Sequence, residues 1–390
     1  MLLRAHRVAA RLSQQELSRM AGIGERTIRD LESGRARRPH PPTVVDLARA
    51  LGLGDRDRDR LLRAARPGPS EPPAEAGPPS GPGPLSDTAA PPEPVEPVGR
   101  AAEVDLVTAA ATRGVVVVTG QAGVGKSALA LHAARRLGGE VHYLDLCPVR
   151  TAGDDPLRRL LHGVGVPPEE VPGDADERRD LLRARTAEGT GVLVLDDAAA
   201  EAQVRPLLPG GRGWAVLVTS RGPLAGLAHA HRVVVDPLRP DDARRLLERA
   251  AGTAVPAELV DACRGLPLVL LAAARLVAEG GPGHALERLR DERALLDLLD
   301  GPRSGLRGSL RAAYERTGPA GRVLLRRLAL LPEGDHTVAE VAAPTGCAEA
   351  EELLEALVDV GLVRSAAGRY AVPHLARLFA AEQAAVEDPR

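Results

Sequence analysis

The sequence predicts a multidomain chain. A small all-α head and a proline-rich tether precede a larger body, which opens on an α/β unit with a parallel sheet and closes in helices. Three observations carry this prediction. Charge is partitioned: residues 1–66 hold fifteen arginines against eight acidic residues, near +7, whereas 98–390 is near −4. Between them, 67–97 contains twelve prolines, five acids and no base. Within the body, short apolar runs alternate with helical patterns in the order expected of parallel strands returning through helices.

At 390 residues the chain exceeds what one hydrophobic core serves. Apolar residues at 44% and charged residues at 27% place it among soluble globular proteins. Net charge is only −2, so affinity for nucleic acid must be local, and aromatics at 1% argue against platforms that stack single-stranded bases. Cys147, Cys263 and Cys347 lie far apart without metal-ligand spacing, which suits buried thiols in a reducing cytoplasm. The runs VVVV (115–118) and LVLLAAA (268–274) are too short to span a bilayer, and charges interrupt the N-terminal MLLRAHRVAARL. Neither a membrane partner nor a signal peptide is expected, and the expected location is cytoplasmic.

One count is sharper than these. Of 51 basic residues, 50 are arginine and one is lysine, Lys126. Asparagine is absent, and isoleucine occurs only at Ile23 and Ile28. Such usage fits G+C-rich coding DNA. Surface positions accept arginine for lysine, but a site that needs a compact ammonium does not.

In the head, LSQQELSRMAGIGERTIRDLESG contains a capping box, Ser13 with Glu16, and a helix-ending glycine, Gly22. A second helix over Glu25–Ser33 turns Ile28 and Leu31 inward and Arg26, Arg29, Asp30 and Ser33 outward. Two short helices joined at a glycine match a helix-turn-helix whose second helix enters the major groove of double-stranded DNA. Arg26 and Arg29 are candidates for base edges and Gln14, Arg35, Arg37 and Arg38 for phosphates, with Gln15 and Thr27 also expected among the DNA-binding residues. The alternative is a helical protein-interaction domain with solvated arginines. Residues 1–66 resemble the XRE-type helix-turn-helix family in the SQxEL opening and the trailing helical pattern. The tether, 67–97, is expected to be disordered and PPII-prone, reaching roughly 100 Å at about 3.1 Å per residue.

In the body, Gly114–Thr119, Val141–Leu146, Val192–Leu195, Ala215–Thr219 and Arg232–Val235 read as buried strands. Helical patterns follow from about Pro240 (ARRLLERA, AELVDACRG, LPLVLLAAARLVAEG), and 303–386 adds helices and a hairpin around Ala366–Gly368. The segment VVVVTGQAGVGKSALALHAARRL (115–137) reads strand, glycine loop, helix, with Gly120, Gly125, Lys126 and Ser127 in GxxxxGK(S/T) spacing. Glycines let successive N–H groups face one phosphate, and the helix N-terminus adds its positive end. The predicted nucleotide contacts here are Gly120, Gly123, Val124, Gly125, Lys126, Ser127 and Ala128, with Ser127 also a ligand of Mg²⁺. VLVLDDAA (192–199) would supply Asp196 to the Mg²⁺ shell and Asp197 to orient or deprotonate an attacking water. A DD pair after an apolar run is otherwise a helix cap. AVLVTSR ends in Arg221, either a γ-phosphate sensor or an ordinary surface arginine.

These motifs, in order, resemble the NB-ARC module of STAND-class signalling ATPases over 98–386. VGRAAEV (98–104) resembles its hhGRExE motif, followed by the phosphate loop, the DD pair, TSR, and RGLPLVL (264–270). The resemblance implies a nucleotide-binding domain (98–236), a helical domain (237–302) and a winged-helix domain (303–386), with Val98 and Arg100 at the adenine and Pro267 at the base side. Two departures stand out. Ala101 replaces the usual glutamate, and the family's Met-His-Asp triad is replaced by VPH (372–374), where His374 is either a nucleotide ligand or a partly buried histidine.

The implied function is a transcription regulator switched by ATP and ADP. ADP would close the body, and ATP would favour self-association that gathers DNA-binding heads; slow hydrolysis would reset it. A constitutive DNA-binding factor with structural ADP is the alternative, and a STAND scaffold that oligomerises on ATP is another. A motor or metabolic kinase is a third class, for which no substrate-binding insertion speaks.

Overall fold

The computed structural model describes residues 17, 20, 21, 47, 50 and 51, and the ranges 97–147, 155–300, 305–347 and 349–388. Two compact units divide the chain, Met1–Gly81 and Pro82–Arg390. In the first, Leu17 and Leu47 are fully buried and helical, and the Leu51 N–H donates to the Leu47 carbonyl at 3.0 Å. The candidate DNA contacts Gln14, Gln15, Arg26, Thr27, Arg29, Arg35, Arg37 and Arg38 lie outside the described residues, as do the capping box and Gly22.

The second unit opens with α1 (Ala101–Ala111), β1 (Val115–Thr119), α2 (Lys126–Leu137) and β2 (Val141–Asp145). Then come α3 (Pro156–Gly163), α4 (Ala175–Thr186), β3 (Gly191–Ala198), the short α5 (Glu201–Val204), β4 (Trp214–Ser220) and β5 (His231–Val234). The five strands form one sheet in the order β2-β3-β4-β1-β5, and every pairing is parallel. The alternation along β1 shows why both faces must be covered. Val116 and Val118 pack with α1 and α2 through Val104, Val107, Leu129 and Ala133. Val117 points the other way, to Leu160 and Leu161 of α3 and Leu182 of α4. A run of valines thus fills two cores at once, as a period of two requires.

Helices follow: α6 (Pro240–Ala251), α7 (Ala257–Ala262), α8 (Pro267–Arg290) and α9 (Glu292–Leu299). Pro240 and Pro267 open their helices at positions where the missing N–H costs nothing. α8 is two helices meeting at Gly281 (φ 82°), with Pro282 next to it. The last part contains α10 (Leu306–Arg316), α11 (Gly318–Leu330), α12 (Val338–Thr345) and α13 (Ala350–Asp359). It ends with β6 (Arg364–Ala366), β7 (Arg369–Ala371) and α14 (His374–Glu387). The β6–β7 hairpin turns through Ala367 (φ 50°) and Gly368 (φ 73°), the left-handed pair of a type I′ turn. α11 packs on α13 and α14, and Arg326, buried, bonds Tyr314, Glu387 and both oxygens of Asp388. None of the three cysteines is in a disulfide; Cys147 and Cys263 are buried, Cys347 half-buried. Among the described residues no helix is long and apolar enough to cross a membrane.

Candidate nucleotide site

The site forms where β1, β3 and β4 end. After β1 the chain turns at Gly120 (φ 150°), where a Cβ would lie 2.5 Å from the Val235 carbonyl oxygen. Only glycine lets the backbone pass there. Gly125 (φ 97°) starts α2 without a side-chain cap, so the first N–H groups of the helix remain available to an anion. Lys126 is the first residue of α2 and is 8% exposed. Its Nζ donates to the carbonyls of Gly120 (2.9 Å) and Gln121 (3.0 Å). Burial lowers the ammonium pKa to about 8; Asp197 opposes the shift, Arg221 adds to it, and Asp196 opposes it. Ser127 and Ala128 follow in the same helical turn, half-buried.

β3 runs through both aspartates, beyond the expected Leu195, with a register shift between Leu195 and Ala198. Asp197 takes φ 55°, a left-handed conformation that a non-glycine residue holds only when its surroundings impose it. The pair does not cap a helix, since α5 begins at Glu201 behind Ala200. Asp196 is 4% exposed. Its Oδ1 accepts from the Thr219 hydroxyl at 2.6 Å and its Oδ2 from the Tyr143 hydroxyl at 2.9 Å. Thr219 Oγ1 also accepts from the Asp197 N–H at 2.9 Å, so one hydroxyl fixes both aspartates. Asp197 Oδ2 accepts from the Ser309 hydroxyl at 3.1 Å, and Asp197 Oδ1 lies 3.9 Å from Arg221 Nε. Arg221 is not a surface arginine: its side chain is buried, and Nη2 donates to the Ser309 carbonyl at 2.8 Å.

Two further expected residues flank the loop. Pro267 stands 3.6 Å from where a Gly125 Cβ would be, and the Leu268 N–H donates to the Gly123 carbonyl at 3.1 Å. His374, first in α14, lines a cavity of about 260 Å³ together with Gln121, Arg264 and Glu333. Its Nδ1 lies 3.7 Å from Glu333 Oε1, and Glu333 Oε2 accepts from Arg264 Nη1 at 2.7 Å. Burial, reinforced by the Arg264 charge, lowers the His374 pKa to about 4. Val98 and Arg100 line a cleft of about 940 Å³ that adjoins α1, α2 and α6. The Arg100 guanidinium donates to the Asp236 carbonyl (2.5 Å), the Val124 carbonyl (3.4 Å) and Glu103 (2.8 Å). It ties the opening turn to the back of the phosphate loop.

The structure therefore gathers Lys126, Asp196, Asp197 and Arg221 into one electrostatic neighbourhood, with Pro267 against the loop. Sequence reasoning missed Thr219, Tyr143, Ser309 and Glu333. Thr219 carried a weak signal, as a hydroxyl ending an apolar strand, while the others come from sequence positions that only the fold brings near.

A parallel five-stranded sheet in this order, with a glycine loop after β1 and acidic residues at the end of β3, defines a P-loop nucleoside triphosphatase fold. Two domain families match the chain: a helix-turn-helix domain over residues 1–61 and an AAA domain over residues 109–204. Over 288 residues the chain is 38% identical to the regulatory protein AfsR of Streptomyces griseus and 36% identical to AfsR of Streptomyces coelicolor. Each alignment covers 68% of this chain and 29% of the relative, so the chain spans under a third of the length of these curated relatives. A solved Walker-type ATPase of Pyrococcus abyssi is similar in fold, with a TM-score of 0.51 at 16% identity, covering 72% of this chain and 95% of that one. The chain carries a helix-turn-helix domain and an AAA-type P-loop ATPase domain, and is homologous to the AfsR regulators.

Proposed function

We propose that the protein is a DNA-binding transcription regulator whose body is a nucleotide switch of the STAND type. Residues 1–66 would bind double-stranded DNA, 98–236 would hold ATP or ADP, and 237–302 and the winged-helix part, 303–386, would close over the nucleotide. One observation carries the reading. The only lysine in the chain is buried at the start of α2, donating to two loop carbonyls that phosphate oxygens can replace, beside Asp196, Asp197 and Arg221. An ammonium is kept there because it must meet a compact anion.

The Ser127 hydroxyl and the Asp196 carboxylate are hard oxygen donors and fit Mg²⁺. When bound, that ion neutralises phosphate charge. Lys126 would hold the β- and γ-phosphates and Arg221 the γ-phosphate, while Asp197 orients a water. Pro267 would support the base side, and Val98 and Arg100 shape the opening turn. The protein would act in the cytoplasm and self-associate with ATP bound. The nucleotide copurifying with wild type is expected to be ADP, with little in Lys126→Ala. Operator affinity and mass are expected to differ between ADP and a non-hydrolysable ATP analogue.

A second reading, a constitutive DNA-binding factor with ADP as structural cofactor, is favoured by one feature. His374 is neutral at physiological pH and faces Glu333 instead of the aspartate of the family triad. Equal operator affinity with both nucleotides would decide for it.

A further inference from the structure

The cleft beside α1, α2 and α6 lies where the proline-rich tether enters the body, and Pro97 and Val98 line it. Gly99 (φ 68°) brings the chain against α6, where a Cβ would lie 2.4 Å from Asp242 Cγ. Five arginines line the cleft against three carboxylates. Arg100 is engaged by Glu103 and two backbone carbonyls, and Arg136 pairs with Asp105 at 2.6 Å. Arg239 and Arg245 share one carboxylate, that of the buried Asp242, so together the three groups carry a net positive charge. Their side chains are 87% and 68% exposed.

The chain that leads into this cleft has the opposite sign. Residues 67–96 lie outside the described residues, and 67–97 holds five acids and no base. PPEPVEPV (91–98) repeats every three residues: proline at 91, 94 and 97, then Pro92, Val95 and Val98, with glutamate at 93 and 96. A polyproline II helix has three residues per turn, so in that conformation Glu93 and Glu96 stand on one side, about 9 Å apart. The pattern ends in Pro97 and Val98, which are in the cleft already. The chain from Pro82 onward and the cleft belong to the same compact unit.

We propose that residues 91–96 dock along this cleft as a polyproline II strip, with Glu93 and Glu96 against Arg239 and Arg245. An exposed ion pair alone stabilises little. Here the partners are joined through Pro97, so the encounter is intramolecular at high effective concentration. A proline-rich chain is also preorganised and loses little entropy on docking. Docking confines the free tether to 67–90, which cuts its reach from roughly 100 Å to roughly 75 Å at about 3.1 Å per residue. Because the cleft adjoins α1, α2 and α6, the strip also joins the parallel-sheet part to the helices that follow it. Docking requires no nucleotide.

The test uses the full chain with a nitroxide on Ala90→Cys and the half-buried native thiol removed by Cys347→Ser. The expected result is slow label rotation at about 50 mM salt and faster rotation at about 500 mM, as the Debye length falls from about 14 Å to about 4 Å. Glu93→Gln with Glu96→Gln should lower the ratio of docked to undocked chain about five-fold at low salt, equivalent to about 1 kcal/mol. Arg239→Glu should do the same, whereas Arg239→Lys keeps the charge and should leave the spectrum unchanged. The glutamate pair alone decides if Arg239→Glu fails to fold. A label that rotates freely at low salt overturns the proposal, as does slow rotation that neither salt nor the glutamate substitutions change. If Arg239→Glu lowers DNA affinity and leaves label rotation unchanged, the cleft serves a phosphodiester backbone and the proposal is overturned.

Discussion

At the scale of single residues, Lys126 has the most testable chemistry. Its folded pKa, about 8, lies below the unfolded value of 10.5, so between these pH values the unfolded chain holds a proton that the folded protein has lost. Stability of the nucleotide-free protein should therefore rise with pH across that window, by up to about 3 kcal/mol, and Lys126→Met should abolish the rise in urea titrations. A bound phosphate favours the charged ammonium, so binding at pH 9 should take up close to one proton. Calorimetry in two buffers of different ionisation heat reads that uptake. Thr219 is the second case. Its hydroxyl donates to Asp196 and accepts from the Asp197 N–H, and Thr219→Val strands both partners in a buried place. A loss of about 1–3 kcal/mol in unfolding free energy is expected, with weaker Mg²⁺ dependence of nucleotide binding.

At the scale of elements, the type I′ turn between β6 and β7 places an alanine where backbone geometry prefers glycine or asparagine. Ala367→Gly should stabilise the protein by about 0.5 kcal/mol, measured as a small rise in melting temperature; the relief of the left-handed alanine outweighs the added unfolded-state entropy. This hairpin, the five strands and the helices after Pro240 were all legible in sequence, because each depends on local periodicity, a proline at a helix start or a glycine after one. The phosphate loop was legible for the same reason: its function requires glycines at fixed spacing. The extension of β3 through Asp197 was not, since the register shift that carries it depends on a threonine of the neighbouring strand. Nor were the partners of His374, because Arg264 and Glu333 stand 110 and 41 positions away and meet it only through packing. The reading of Asp196 and Asp197 as a helix cap fails against the fold, which starts α5 at Glu201, four residues after Asp197, with Ala200 at the cap position.

At the scale of the molecule, titration of His374 should loosen the body in acid. Its folded pKa of about 4 lies below the ordinary 6.5, so the stability due to the neutral ring is present above pH 6.5 and is lost as pH falls toward 4. Arg264 and Arg377 oppose its protonation and Glu333 favours it, so His374→Gln should flatten the stability profile over this interval in chemical denaturation. For the head, the arginine excess in 1–66 predicts that DNA affinity falls steeply with salt, with a slope reporting the phosphates neutralised, and that ADP and ATP shift the midpoint more than the slope. The bond from the Leu268 N–H to the Gly123 carbonyl has a mechanical meaning as well. It hinges the first segment of α8, roughly 21 Å long before Gly281, on the phosphate loop. Like the needle of a gauge, that rod magnifies what happens at its pivot: a tilt of about 10° sweeps its tip about 4 Å. A change too small to notice beside a phosphate thus arrives, at the far end of the helix, as a displacement that a neighbour can read.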